Sequence, residues 1–270
     1  MKAEPASRHV ADAYNRLAAD LDRKMAAAPF LANCYVLYDK MLRRLLDGRR
    51  YGRILDMGCG TGLQTVLLAD AAESVIGIDL AADLIKVARE RCRGKNNALF
   101  IVDDATKMPF RDAVFDLIVS YGDVVSHIVD HYDEAIAEMA RVTKPGGIVS
   151  FEVDNKWNAG IFYIPRELKD ACRVRGKGHD TRMWEGMRFK TFTRGELEKI
   201  LAGNGLNILT VDAHNILASF IPDRYVLEER RTTFWGEVAR KLGRVDRAIS
   251  GWFPFNRFGF NIIVTARKVG

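Results

Sequence analysis

Apolar residues recur every three or four positions across residues 8–25, at Val10, Tyr14, Leu17, Ala18 and Leu21. They describe one face of a helix, which Pro29 breaks. A second stripe, Tyr38, Met41, Leu42 and Leu45, predicts another amphipathic helix that ends at Gly48 and Gly52. From Arg53 onward the pattern becomes short apolar runs alternating with helical periods. It predicts strands at 53–57, 74–79, 98–102, 115–120, 148–153, 207–213 and 261–266, with helices at 63–72, 82–92, 131–142 and 194–203. Thr193 and Glu196 form a capping box at the start of the last of these, and Gly205 marks the turn after it. Lys144-Pro145-Gly146-Gly147 reads as a tight turn feeding 148–153. This alternation predicts an α/β fold, a doubly wound, mostly parallel seven-stranded sheet with helices on both faces. Between 222 and 253, Leu227, Phe234, Val238, Leu242, Val245, Ile249 and Trp252 fall on one stripe of a long helix. Arg230, Arg231, Arg240, Lys241, Arg244 and Arg247 fall on its other face.

The chain of 270 residues suits one domain with additions: N-terminal helices over 1–50, serving as a lid, and a core over 51–270 with insertions at about 154–193 and 215–258. Its hydrophobic (48%) and charged (28%) fractions are those of a globular protein with a sizeable core. A formal charge of +6 is accounted for by a solvated surface, so a nucleic-acid partner is not expected. Cys34, Cys59, Cys92 and Cys172 are scattered, with no zinc spacing and no disulfide framework, which predicts reduced thiols, no metal and a cytoplasmic setting. No apolar run approaches the ~18 residues of a membrane helix. The basic amphipathic stripe after 222 leaves two uses open: docking on the sheet, or peripheral contact with anionic lipid. Arg173, Arg175, Gly176, Lys177, Gly178 and Arg182 form a second basic patch, read as a substrate loop.

The chemistry gathers at Ile54-Leu55-Asp56-Met57-Gly58-Cys59-Gly60-Thr61-Gly62. A buried strand runs into a glycine turn and then a helix start, which makes a nucleotide-type cradle. Asp56 stands where a pyrophosphate would be repelled and an ammonium or hydroxyl held. Leu63 occupies the position where a dinucleotide fingerprint needs glycine or alanine, and no P-loop lysine is present. The expected ligand is therefore cationic and free of phosphate, which disfavours an NAD oxidoreductase. Asp79 closes the next strand, where a carboxylate can accept from both hydroxyls of a ribose.

Ile54–Gly62 resembles motif I of the class I S-adenosylmethionine-dependent methyltransferases, and the broad group that methylates quinones in particular. Asp103-Asp104-Ala105-Thr106-Lys107-Met108-Pro109-Phe110 resembles the family's third motif, and Arg141-Val142-Thr143-Lys144-Pro145-Gly146-Gly147 also matches. The resemblance implies that the last strand is antiparallel and that S-adenosyl-L-methionine is the cofactor. It implies a donor site of Asp56, Gly58, Cys59, Gly60, Asp79 and Leu80, with Asp104 and Ala105 at the adenine and Ser120 and Tyr121 at the methionine moiety. Tyr14, in the N-terminal segment, is expected to touch the cofactor.

Methyl transfer from a sulfonium is an in-line displacement, and a base is needed only where the nucleophile arrives protonated. His127 is the candidate base by position, with a packing histidine as the alternative; His131, His179 and His214 rank behind it. Asp123 and Asp154 are candidates for orienting an acceptor, and Glu152 closes the strand beside Asp154. The expected activity is methyl transfer to a small-molecule acceptor. A lipophilic, membrane-associated acceptor and a noncatalytic S-adenosylmethionine-binding role stand as alternatives.

Overall fold

A computed structural model describes residues 5–162, 165–173, 177–178, 182–221 and 234–270. Three helices precede the sheet: α1 (Pro5–Leu17), α2 (Leu21–Ala27) and α3 (Pro29–Leu46). The stripe over 8–25 is thus two helices, broken at 18–20. Pro29 opens the third helix, because a first-turn position needs no N–H donor. The core then runs β1 (Tyr51–Met57), α4 (Leu63–Asp70), β2 (Ala72–Asp79), α5 (Ala82–Arg91), β3 (Ala98–Val102), β4 (Phe115–Ser120), α6 (Val124–His127), α7 (Tyr132–Val142) and β5 (Thr143–Asn155). The insertion that follows carries α8 (Pro165–Arg173), a hairpin of β6 (Arg182–Trp184) and β7 (Met187–Phe189), and β8 (Thr191–Phe192). Then come α9 (Arg194–Gly203), β9 (Leu206–His214), α10 (Phe234–Ile249) and β10 (Asn261–Lys268).

The main sheet has the order β3-β2-β1-β4-β5-β10-β9. β10 is antiparallel to both neighbours, as the resemblance implied, and the pairs from β3 to β5 are parallel. The chain turns in opposite directions after β1 and β4, so a crevice opens between their carboxyl ends. The Pro-Gly-Gly segment is a bulge inside β5: Phe115 pairs with Thr143, but Leu117 pairs with Ile148, and the extra residues loop out with Gly146 at φ 77°.

Alternate residues of β1 enter different layers. Ile54 packs with Leu37, Met41 and Leu68, against α3 and α4, while Leu55 and Met57 pack with Ile136, Met139 and Leu201, against α7 and α9. The third N-terminal helix is therefore a layer of the core whose first half, from Phe30 to Tyr38, also borders the crevice that α1 and α2 reach over. The stripe after 222 also divides. On α10 the buried positions are Gly236, Ala239, Gly243 and Asp246, and a Cβ on Gly243 would meet Asn33 of α3 at 2.3 Å. Close backbone approach made the small residues the docking face, leaving Phe234, Val245 and Trp252 exposed. Leu227, Arg230 and Arg231 lie outside the described residues, as do Arg175, Gly176 and His179.

Candidate functional site

A cavity of about 640 Å³ lies over the crevice. Its floor at one end is the glycine turn. Gly58 N and Cys59 N both donate to Ile78 O (2.8 and 3.0 Å), which folds the turn over β2. Gly58 sits at φ 73°, and a Cβ there would stand 2.2 Å from Val124 Cγ2. Gly60, at φ 54°, has nothing within 4 Å of a would-be Cβ, so its backbone is bare toward the cavity.

Asp79 is half-buried at the end of β2. Gly60 N donates to Oδ2 and Ala81 N to Oδ1, both at 2.9 Å. Each oxygen keeps a further lone pair for a ligand hydroxyl. Burial pushes this carboxyl's pKa up, against the N–H groups of Ala81, Gly60 and Leu80. Asp104 holds the Asp104-Thr106 turn through Oδ1 alone, accepting from Thr106 N (2.9 Å) and Thr106 Oγ1 (2.8 Å). Cys59, Leu80 and Ala105 line the same end. Burial raises the Cys59 thiol pKa well above its usual value, so it is a neutral wall group.

Two predicted donor residues do not reach the cavity wall. Asp56 is buried behind the turn, where Thr65 Oγ1 donates to its Oδ2 at 2.5 Å. Burial raises its pKa to about 7, opposed by Thr65 and helped by Asp79. It braces the first turn of α4 from behind the cavity wall. Ser120 is fully buried and off the wall, and its Oγ has no hydrogen-bond partner. Strand alternation turns its side chain inward, while Tyr121, the next residue, lines the cavity. These residues suit a phosphate-free cationic nucleoside: a bare glycine backbone, two carboxylates with spare acceptor capacity, and no lysine or arginine on this wall.

The opposite end is assembled from distant segments. Tyr14 of α1 and His127 of α6 meet at 2.8 Å (Oη to Nε2), with their rings edge to face. Burial lowers the His127 pKa to about 3, and Nδ1 is buried without a partner. Burial, then Asp123 and Asp79, raise the Tyr14 pKa well above its usual value, so the pair is neutral. Phe189 of the hairpin packs on the imidazole at 4.2 Å between centroids. Asp123, in the left-handed region at φ 60°, accepts from Asn261 Nδ2 at 2.6 Å. Asp154 shares this end, and Phe30, Leu31, Met25 and Phe260 complete an apolar wall. Glu152 lies beneath, fully buried. It accepts from Tyr38 and Gly122 N (2.8 Å) and pairs with His214 Nε2, tying α3 and β9 to the loop after β4. His131 starts α7 and pairs with Glu134.

Sequence reasoning missed the fastening of α1 and α2. Thr61 Oγ1 donates to Asp22 Oδ1 (2.8 Å), and Arg91 donates to both Thr61 Oγ1 (2.8 Å) and Asp22. Asn15 Oδ1 accepts from Asp83 N at 2.9 Å, in the first turn of α5. None of these residues belongs to a local pattern. The acid in the first turn of α2 was the one available signal.

Among known proteins, the family described as "Methyltransferase domain" matches residues 54–147. The malonyl-[acyl-carrier protein] O-methyltransferase of Geobacter sulfurreducens is 30% identical over 220 residues, covering 76% of this chain and 72% of that protein. The demethylmenaquinone methyltransferase of Renibacterium salmoninarum is 40% identical over 96 residues, covering 35% of this chain and 38% of that one. Among solved structures, the [4+2]-cyclase SpnF superposes with a TM-score of 0.67 at 23% identity, covering 98% of each chain. That likeness shows the fold alone. The extended match to the Geobacter enzyme shows the family: the chain belongs to the class I S-adenosylmethionine-dependent methyltransferases, enzymes that pass the donor's methyl group to an acceptor.

Proposed function

We propose that the acceptor is an apolar molecule without anionic groups, presenting one protonated nucleophile to the Tyr14–His127 pair. The observation that carries this is the 2.8 Å contact between Tyr14 Oη and His127 Nε2 on the cavity wall, beside an aromatic and aliphatic surface. Asp123 and Asp154 stand at the same end, and their charge opposes an anionic acceptor. Among the described residues, the lysine or arginine on the lining is Arg188, which is exposed and within 3.5 Å of Asp130. These charges favour an acceptor of the kind named in demethylmenaquinone methyltransferase over a malonyl group, which ends in a carboxylate.

In this reading the glycine turn, Asp79, Leu80, Asp104 and Ala105 hold S-adenosylmethionine, and Tyr121 and Asp123 bound its reactive end. The donor supplies an electrophilic methyl group on a sulfonium. Tyr14 accepts the acceptor's proton as it donates its own to His127 Nε2, so the acceptor's X–H bond is replaced by X–CH3. The charge inside the cavity is the same before and after, which offsets the burial that keeps the free imidazole neutral. α1 and α2 close the site against water. A second reading, delivery of the acceptor from a lipid surface, is favoured by exposed aromatic rings at this end of the sheet.

The test is a screen with methyl-labelled donor against apolar phenols and quinols and against matched carboxylic acids, read by mass spectrometry. Label in the first set alone is expected. Label confined to the acids would sink the proposal.

A further inference from the structure

Every exposed phenylalanine and tryptophan among the described residues falls between Trp157 and Phe258. The sheet brings the segments that carry them out at one end, and Trp252 and Phe253 continue from there along the outer edge of β9. The chain leaves β5 at Asn155 and β9 at His214 and enters β10 at Asn261, and Asn261 pairs with both Asp154 and His214. The segments after β5, after β9 and before β10 therefore all emerge where the acceptor chamber lies. Phe162, 77% exposed, stacks on Phe220, with centroids 6.3 Å apart and planes 6° from parallel, which joins the first two segments. Phe234 (71%) opens α10, and Trp252 (66%) and Phe253 (72%) follow it. The inner sides of these segments form the chamber's outer wall: Ala218, Ile221 and Ala239 pack on Phe30, whose ring meets that of Phe260 at 4.7 Å.

Exposed rings in such density mark a contact surface. Its charge selects the partner. α10 presents Arg240, Lys241 and Arg244 to solvent, with Glu237 the exposed carboxylate on the helix. A second copy docked face to face would bring like charges together. An anionic bilayer surface matches the basic residues, and its interfacial layer accepts aromatic rings.

We propose that this end of the molecule docks on the surface of a bilayer containing anionic lipid. Phe162, Phe220, Phe234, Trp252 and Phe253 enter the interfacial layer, and Arg240, Lys241 and Arg244 lie against headgroups. The contact stands on the surface alone; its use in loading an apolar acceptor rests on the function proposed for the cavity. The full chain is sedimented at low ionic strength with vesicles of phosphatidylcholine, or of phosphatidylcholine mixed with phosphatidylglycerol. Binding to the mixed vesicles is expected, weakening as salt rises. Arg240→Glu/Lys241→Glu/Arg244→Glu and Trp252→Ser/Phe253→Ser should each lower partitioning at least ~10-fold. Both variants should keep donor affinity, which shows that they fold. Sedimentation with neither vesicle overturns the proposal. So does a concentration-dependent dimer that the Trp252→Ser/Phe253→Ser change abolishes while lipid binding is absent. Vesicle binding needs neither donor nor acceptor, so it is read separately from any failure of the Tyr14–His127 chemistry.

Discussion

The two ends of the cavity are built in different ways. On the function proposed above, the donor end comes from one stretch of chain, from Gly58 to Ala105, and works largely through backbone: a bare glycine, a folded turn, and carboxylates at strand ends held by N–H groups. The end assigned to the acceptor brings together Tyr14, His127, Asp154 and Phe189 from four separate elements and Phe260 from the loop before β10, and works through side chains. The first can be inherited whole by any member of the fold. The second can be rebuilt residue by residue, which is how similar folds come to serve different acceptors. The sharpest break between the ends is Tyr14→Phe. It should cut kcat roughly 10²- to 10³-fold, the usual worth of a positioned proton acceptor, and leave donor affinity unchanged by calorimetry. Because burial keeps His127 neutral down to about pH 3, kcat/KM should show no inflection from it between about pH 5 and 8. An inflection that disappears in His127→Asn would refute the burial argument.

Gly58 is where the two ends touch. A Cβ there runs into Val124, the first residue of α6, which also carries His127. Gly58→Ala adds a strained φ to that clash and should cost about 2–4 kcal/mol of stability, read by thermal unfolding. Gly60→Ala has the same backbone problem with nothing to strike, so about 1–2 kcal/mol is expected. Its main effect should be lost donor affinity, since the new methyl would stand in the crevice. Equal destabilisation by both changes would show that Val124 yields freely and that the ends are less coupled than the geometry implies.

This contrast also decides what could be read from sequence. Motif I, Asp79 and Asp104 were legible because the donor end is local and glycine spacing encodes its backbone. Depth of burial was not encoded. Asp56 looks like a ligand two residues before Gly58, yet Thr65, in the first turn of α4, claims it. Ser120 and Tyr121 differ by one step of strand alternation, and the apolar run of β4 gives no sign of which faces the cavity. Tyr14 and His127 could each be named, but their meeting across 113 positions could not. The stripe on α10 was half right: Val238, Leu242 and Ile249 pack on the core, but the closest approach to α3 is through Gly236, Ala239 and Gly243, which hydropathy does not weigh. The hairpin Arg182–Phe189 is too short to show a period.

At the donor end alone, Asp79→Ala should weaken S-adenosylmethionine binding by about 1–3 kcal/mol through lost charge-assisted hydrogen bonds. Calorimetric affinity equal to that of the unaltered chain would remove Asp79 from the site. Asp79→Asn should fall between, since an amide oxygen can still accept from Gly60 N or Ala81 N but only one of them.

The smallest expected effect lies where α2, part of the proposed lid, meets the glycine turn. Asp22 and Arg91 are both partly exposed, so solvent screens their pairing and the ion pair itself is worth little. The hydrogen bond from Thr61 is different, because Thr61 is buried within the glycine turn and points at α2. Asp22→Ala removes both hydrogen bonds that α2 makes to Thr61 and Arg91 and leaves Asn15 as the remaining side-chain tie from α1 to α5. Stability should change by about 1 kcal/mol or less, because the apolar contacts of Leu21 and Tyr14 with Leu84 remain. The lid's opening rate should change more than its closed geometry. The expected signature is release of the demethylated donor a few times faster in stopped flow, with kcat for the chemical step unchanged in single turnover. If release is unaltered, the Asp22 contacts do not set how α2 opens, and coupling between the two ends runs through Gly58 and Val124 rather than through this fastening.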